Sequence, residues 1–112
     1  MPNFMLLLHS DPSGLKQLGP EEMQTALEKF MAWRTKPITR DGHRLTDDTG
    51  RVMRSQGGQI RTTDGPYSET KEILGGYYTI EAADYDEAVR LAQDHPTLEY
   101  GGTIEVRQVW GT

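Results

Sequence analysis

The chain opens with the apolar run Phe4-Met5-Leu6-Leu7-Leu8-His9, and the breakers Ser10-Asp11-Pro12-Ser13-Gly14 follow it at once. A continuous apolar run of this length is too short for a helix and is typical of a buried strand. We therefore predict a central strand that is covered on both faces.

Two amphipathic helices are predicted on either side of the middle of the chain. Gly19-Pro20-Glu21-Glu22 places a proline at the first helical position and two acids at the positive end of the helix dipole. The apolar residues of this helix, which ends near Thr35, predict a core-facing stripe of Met23, Leu27, Phe30 and Met31.

The second helix is predicted from a capping box. Asp84 and Glu87 have the spacing of such a box, so this helix begins near Tyr85 and ends at His95-Pro96. Its predicted buried stripe is Tyr85, Ala88, Val89 and Ala92.

The remaining patterns predict strands. Residues 51–54 and 59–63 flank a glycine turn and predict a hairpin with one wet face. Further strands are expected at 76–81 and 103–110, and residues 42–45 are a candidate edge strand. The order strand, helix, two strands, helix, strand predicts one α+β domain over residues 1–112, of the ferredoxin-like βαββαβ type. Both helices then lie on one face of the sheet, so we predict a homodimer in which a second subunit covers the other face.

Composition and charge exclude several classes of function. The chain has no cysteine, which rules out disulfides, thiolate catalysis and thiolate-bound metals. It has no apolar run of membrane-spanning length and no basic start of a secretion signal, so we expect a cytoplasmic protein without membrane contact.

The net charge of −5 is unevenly distributed, since residues 34–63 carry seven cations against three aspartates. This basic segment is either a solvated polar hairpin, an anion-binding site, or a surface that pairs with the acidic half of a second subunit. Its arginines are not interleaved with aromatic residues, so no nucleic-acid partner is expected.

The densest cluster of chemically active side chains lies in the loop at residues 63–76. A loop of this length in a small domain is often functional, although turn-forming and charged residues are also what an ordinary surface loop contains. We predict Asp64 and Glu72 as catalytic groups, with Asp64 accepting hydrogen bonds from turn amides and facing a cavity. The predicted substrate contacts are Gly65, Pro66, Tyr67, Lys71, Gly75 and Gly76. Gly75 and Gly76 also suit close backbone packing at the entry of a strand.

His95 is the third predicted catalytic residue. At the end of the second helix, a protonated imidazole is favoured by the helix dipole, so His95 is either a capping residue or an acid–base group. In the second case, we expect it to reach the same cavity as Asp64 or Glu72. The three histidines have no metal-ligand spacing, and we predict neither a metal nor a cofactor.

The segment from Asp64-Gly-Pro-Tyr67 to Tyr78, together with 83–88 and 100–107, resembles the YCII-related family in its DGPF-domain branch. The start of the chain and the first helix are similar to that branch as well, whereas residues 34–50 do not match. The resemblance implies a ferredoxin-like subunit that pairs into a dimeric α/β barrel. In YCII-type relatives, a His on the first helix and an Asp before a Pro after the second helix form a catalytic dyad. This chain has no His between Gly19 and Pro37, and His95 occupies the position of that Asp, so the dyad does not carry over.

Two functions are compatible with these observations. The first is the binding or transformation of a small polar metabolite by acid–base chemistry without a cofactor, which the long polar loop and lyase-like or dehalogenase-like relatives favour. The second is a non-enzymatic dimeric accessory module in transcription or stress regulation, which the missing dyad favours. The fold alone does not choose between them.

Overall fold

A computed structural model describes the backbone of residues 1–112 and every side chain except that of Leu15. The strands are β1 (Asn3–Ser10), β2 (Thr39–Arg44), β3 (Arg51–Gln56), β4 (Gln59–Asp64), β5 (Ile73–Glu81) and β6 (Thr103–Gln108). The helices are α1 (Pro12–Lys16), α2 (Pro20–Arg34), α3 (Tyr85–Ala92) and α4 (Pro96–Glu99). No helix among the described residues is long and apolar enough to cross a membrane.

The main sheet has four strands in the order β2-β5-β1-β6, and every neighbouring pair is antiparallel. The apolar strand β1 lies inside the sheet, between β5 and β6, as predicted. With α2 after β1 and α3 after β5, the path β1-α2-β2-β5-α3-β6 is a βαββαβ arrangement. The mixed α+β architecture is therefore consistent with the predicted ferredoxin-like fold.

The core lies on one face of the sheet, between the strands and the helices. Phe4, Leu6 and Leu8 alternate along β1 and are buried, and Tyr78 and Ile80 pack beside them from β5. The helices contribute Trp33 from α2 and Ala88 and Ala92 from α3. Met5 and Leu7 on the opposite face of β1 remain partly exposed, so this chain covers one face of the strand, and cover of the other face by a second subunit stays a prediction.

The predicted hairpin is present, but it forms a separate two-stranded sheet of β3 and β4. The second and third strands of the βαββαβ path are instead β2, which lies at the edge of the main sheet, and β5. The physical reason is that the hairpin has no apolar face to bury, since Val52 is its only strand residue that is not fully exposed. This ribbon helps to make the molecule flat, at 46 × 41 × 18 Å, with a radius of gyration of 15.8 Å. About 13 Å is typical of a globular domain of this size.

The helix starts follow the sequence signals. Pro20 occupies the first turn of α2, and Asp84 caps α3 by accepting a 2.9 Å hydrogen bond from the Glu87 amide. Glu87 in turn accepts from the Ala83 amide at 2.9 Å, close to the predicted capping-box arrangement.

The buried faces of the helices differ from the predicted stripes. On α2, the buried residues are Ala26 and Trp33, while Met31 is 60% exposed. On α3, Ala88 and Ala92 are buried as predicted, but Tyr85 and Val89 are nearly half exposed. The apolar stripe of α2 stays partly exposed because it lies over an open cavity, which is described below.

Gly42 in β2 provides a test of this packing. A Cβ atom at Gly42 would lie 2.5 Å from Cδ1 of the Tyr78 ring. We expect Gly42→Ala to lower the free energy of unfolding by about 1–3 kcal/mol, the usual cost of overpacking a core. Urea unfolding measures this value. The control is Gly14→Ala in α1, where a Cβ would have no atom within 4 Å, and it should leave stability unchanged or slightly higher. If the two variants had equal free energies of unfolding, the close packing of Gly42 against Tyr78 would be contradicted.

Candidate functional site

A cavity of about 330 Å³ lies between α2 and the helix-facing side of the sheet. Its volume is at the lower end of the range of small-molecule sites. Most of the wall is apolar: Leu8, Pro12, Met23, Ala26, Leu27, Phe30, Met31, Ile73 and Tyr78. Arg34, Arg44 and Asp47 are its charged lining residues, and Gly42, Gly75 and Gly76 line it from the strands. The arrangement is an apolar pocket with a charged region.

Four small residues line the cavity: Ala26 in α2 and the glycines Gly42, Gly75 and Gly76 of β2 and β5. A Cβ atom at Gly76 would lie 2.9 Å from the carbonyl oxygen of His43, so β2 and β5 approach closely only because Gly76 has no side chain. The predicted role of Gly76 in close packing is consistent with this geometry.

The charged region of the cavity carries an excess of positive charge. Arg44 lies 3.6 Å from Asp47, measured from Nη2 to Oδ2. Arg34, at the end of α2, has no ion-pair or hydrogen-bond partner among the described side chains. Tyr78 donates a 3.1 Å hydrogen bond to the carbonyl of Phe30, and burial raises the pKa of its hydroxyl while the charge of Arg34 opposes that rise. The phenol therefore stays neutral.

The structure places His95 in an aromatic cage outside the cavity wall. Its side chain is fully buried, and its ring centroid lies 4.9 Å from that of Trp33, 5.0 Å from Tyr78 and 5.5 Å from Phe30. Nδ1 accepts a 3.0 Å hydrogen bond from the Thr97 amide, and Nε2 has no partner among the described residues.

This position corrects the expectation of a protonated histidine at the end of the second helix. α3 already ends at Ala92, and His95 instead caps the start of α4. A cap at a helix start accepts a hydrogen bond, so the imidazole has to be neutral at Nδ1. Burial lowers the pKa of His95 to about 4, in agreement with that geometry.

The structure does not bring the predicted catalytic residues together. Asp64 is 81% exposed at its side chain and pairs with Arg51 at 3.2 Å, with no turn amide as its donor. Glu72 accepts a 3.3 Å hydrogen bond from Thr103 on β6. Neither carboxylate lines the cavity or contacts His95, because Asp64 lies at the end of the detached ribbon and the aromatic cage encloses His95.

Only some of the predicted substrate contacts lie at the cavity. Gly75 and Gly76 line the cavity, whereas Gly65, Pro66, Tyr67 and Lys71 do not. Tyr67 is 78% exposed, with the Arg54 guanidinium 5.6 Å from its ring centroid. Gly65 packs against Thr49, where no Cβ would fit. The end of the 63–76 loop therefore reaches the cavity and its beginning does not.

Sequence reasoning missed most of the cavity-lining residues. Arg34, Arg44 and Asp47 lie in residues 34–50, where the sequence analysis identified no motif, and the apolar stripe of α2 was predicted to face the core. The available signal was the basic charge of residues 34–63, which indicated an anion site without naming its members.

A second polar cluster lies on the open face of the sheet. The Tyr77 hydroxyl donates a 3.1 Å hydrogen bond to Asp41, and His43 Nε2 lies 3.5 Å from the other oxygen of that carboxylate. The hydrogen bond to Asp41 raises the pKa of Tyr77. Because side chains alternate along β2 and Gly42 faces Tyr78, the His43 imidazole lies on the face opposite the cavity. No group of three metal-ligating side chains was found among the described residues.

Residues 3–111 match the YCII-related domain. The chain belongs to the YCII-related family. An uncharacterized protein of Rhizobium meliloti (strain 1021) is 30% identical over 110 residues, which cover 93% of this chain and 89% of that relative. The predicted family is thus confirmed over nearly the whole domain.

A solved structure shares the fold of this YCII-related protein. It is 5-chloro-2-hydroxyhydroquinone dehydrochlorinase (TftG) from Burkholderia phenoliruptrix AC1100, in complex with 2,5-dihydroxybenzoquinone. The superposition has a TM-score of 0.55 and 15% sequence identity, and covers 96% of this chain and 92% of the other. At this identity the likeness establishes the fold of the YCII-related domain alone.

His95 should make the stability of this YCII-related protein depend on pH. Its folded pKa of about 4 lies below the ordinary 6.5, so the unfolded chain takes up the proton first as pH falls. The contribution of His95 to the free energy of unfolding is full above pH 6.5. It decreases by about 3 kcal/mol in total as the pH falls toward 4. Urea unfolding across this range measures the loss. His95→Asn keeps a capping oxygen but cannot titrate, so its stability should fall less with pH. If the free energy of unfolding fell equally with pH in the wild type and in His95→Asn, the low pKa of His95 would be contradicted.

Proposed function

We propose that this protein binds a small molecule in the cavity between α2 and the sheet, and transforms it by acid–base chemistry without a cofactor. The observation that carries the proposal is the cavity itself, with its apolar wall and its charged region. A dehydrochlorinase with the same fold is known in complex with 2,5-dihydroxybenzoquinone, which supports a small-molecule role for this architecture. The apolar wall favours a ligand that is mainly apolar, rather than the polar metabolite predicted from the loop.

Asp47 is the carboxylate best placed for proton transfer. It is the only acidic side chain that lines the cavity among the described residues, whereas Asp64, Glu72 and His95 lie elsewhere. The Arg44 guanidinium beside it is able to stabilise negative charge on a bound ligand. Asp47 would therefore act as the base, with Arg44 as the electrostatic partner.

A non-enzymatic accessory module is the second candidate. It is favoured by the shortage of acid–base groups at the cavity, since His43 belongs to the wall but its imidazole packs against Tyr77 on the opposite face of the sheet. Such a module would act in transcription or stress regulation without turnover, and small molecules should not raise its melting temperature.

We also propose that the subunit pairs through the open face of its sheet, as a dimeric α/β barrel of the DGPF-type branch. Met5, Leu7 and Tyr77 lie side by side on that face and are partly exposed in one chain. Apolar side chains at the centre of a sheet are usually covered, and both helices of this subunit lie on the other face. A second copy would cover them.

Filling the cavity should abolish ligand binding. Ala26 lines the cavity, so Ala26→Leu places three more carbon atoms at its wall. Because Ala26 is only 1% exposed, the substitution should also lower the free energy of unfolding by about 1–3 kcal/mol, and the shifts are therefore compared with each variant's own ligand-free melting temperature. A thermal-shift screen of small ring compounds should find ligands that raise the melting temperature of the wild type in proportion to their concentration. These shifts should be absent in Ala26→Leu and retained in Ala32→Leu, a matched control on the exposed side of α2. Shifts that persist in Ala26→Leu would place the site elsewhere.

The dimer is tested by a charge on the open face. We expect sedimentation velocity at micromolar concentration to give a dimer for the wild type and a monomer for Leu7→Glu, which would bring like charges together across the interface. Leu98→Glu introduces the same charge on α4 and should remain dimeric. A monomeric wild type would defeat the barrel proposal.

A further inference from the structure

We propose that the ligand of the α2 cavity is an apolar monocarboxylic acid, with its carboxylate held by Arg34 and Arg44 and its hydrocarbon body against α2. This inference rests on the proposed function of the cavity and adds the chemical class of its ligand.

The charges that line the cavity select for an anion. Arg34 and Arg44 are opposed there by a single carboxylate, Asp47, so the lining carries a net positive charge. The distance of 3.6 Å between Arg44 and Asp47 exceeds that of a good hydrogen bond, so donors of Arg44 remain available. Arg34 has no partner among the described side chains, and an anion would provide one.

The position of Arg34 brings its charge within reach of the cavity. Its side chain lines both the main cavity and a depression of about 110 Å³ formed with Thr39, Arg40, Asp41 and Gly42, so it lies across β2 at Gly42. Burial raises the pKa of Tyr78 in the cavity wall and the charge of Arg34 opposes that rise, as it also does at Tyr77 on the other face. The guanidinium is therefore close enough to act on a ligand that lies against Tyr78.

A carboxylate suits this site better than a more highly charged anion. A guanidinium presents paired N–H donors that match the two oxygens of a carboxylate. A dianion such as a phosphate monoester would meet repulsion from Asp47 and from the negative end of the α2 dipole, which lies at Arg34. One negative charge balances the net charge of the lining.

The remainder of the cavity requires an apolar body. Leu27 and Met31 are 37% and 60% exposed although they face the cavity, and a hydrocarbon ring would cover them. Met23 and Met31 are flexible enough to adapt to its shape. A ligand with one charged end and an apolar body is therefore complementary to both the charged region and the apolar wall of the cavity.

The test compares a carboxylate with a neutral molecule of the same shape. Benzoate and benzamide are titrated by NMR into the full-length wild type and into Arg34→Gln, Arg34→Lys and Arg90→Gln. We expect benzoate to bind the wild type roughly tenfold or more tightly than benzamide. Arg34→Gln should remove this preference without weakening benzamide binding, and Arg34→Lys should restore part of it. Arg90→Gln, the same substitution on exposed α3, should behave as the wild type.

The outcomes separate the two proposals. Equal binding of benzoate and benzamide, with both lost in Ala26→Leu, would overturn the carboxylate and leave the cavity as the site. A benzoate preference that survives Arg34→Gln would also overturn the role of Arg34. If no ring compound binds the wild type, or if binding persists in Ala26→Leu, the proposed function of the cavity fails as well.

Discussion

The burial of alternate residues of β1 is the constraint on which the rest of this structure depends. Phe4, Leu6 and Leu8 point to the same side of the sheet and are withdrawn from water by α2, α3 and the neighbouring strand β5. Because side chains alternate along a strand, a shift of register by one residue would expose all three. The position of β1 between β5 and β6, and the face on which the helices pack, both follow from this requirement.

α2 is held firmly at one end, and this explains how a cavity persists beside a well-packed core. Near its C-terminal end, Trp33 packs against His95 and donates a 2.9 Å hydrogen bond to Asp94, whose carboxylate also binds Lys36. These bonds join α2 to the segment between α3 and α4. The cavity lies along another side of α2, from Met23 to Arg34, and its lining on the sheet side includes three glycines. Tyr78 takes part in both regions, since it contacts His95 and lines the cavity.

His95 illustrates how a group with catalytic chemistry becomes structural. Its neutral ring caps α4 and is enclosed by three aromatic side chains, which exclude the water that an acid–base group exchanges protons with. The cavity beside it has arginines and one aspartate instead. Membership in the YCII-related family therefore settles the architecture of the domain, while the chemistry of any reaction depends on the side chains that this chain presents at the cavity.

Local sequence patterns were enough to predict several features of this protein. The apolar run of β1, the capping box at Asp84, the hairpin at 51–63 and the family motif after Asp64 all lie within short segments, where backbone preference and side-chain spacing decide the outcome. Only the tertiary structure decided which elements meet. It separated the ribbon from the sheet, placed His95 among aromatic rings and left Asp64 in solvent. It also brought Arg34 and Arg44 to one cavity with the apolar stripe of α2. The reason is that these contacts join residues far apart in the chain, and their formation depends on the packing of the whole sheet against its helices rather than on any local pattern.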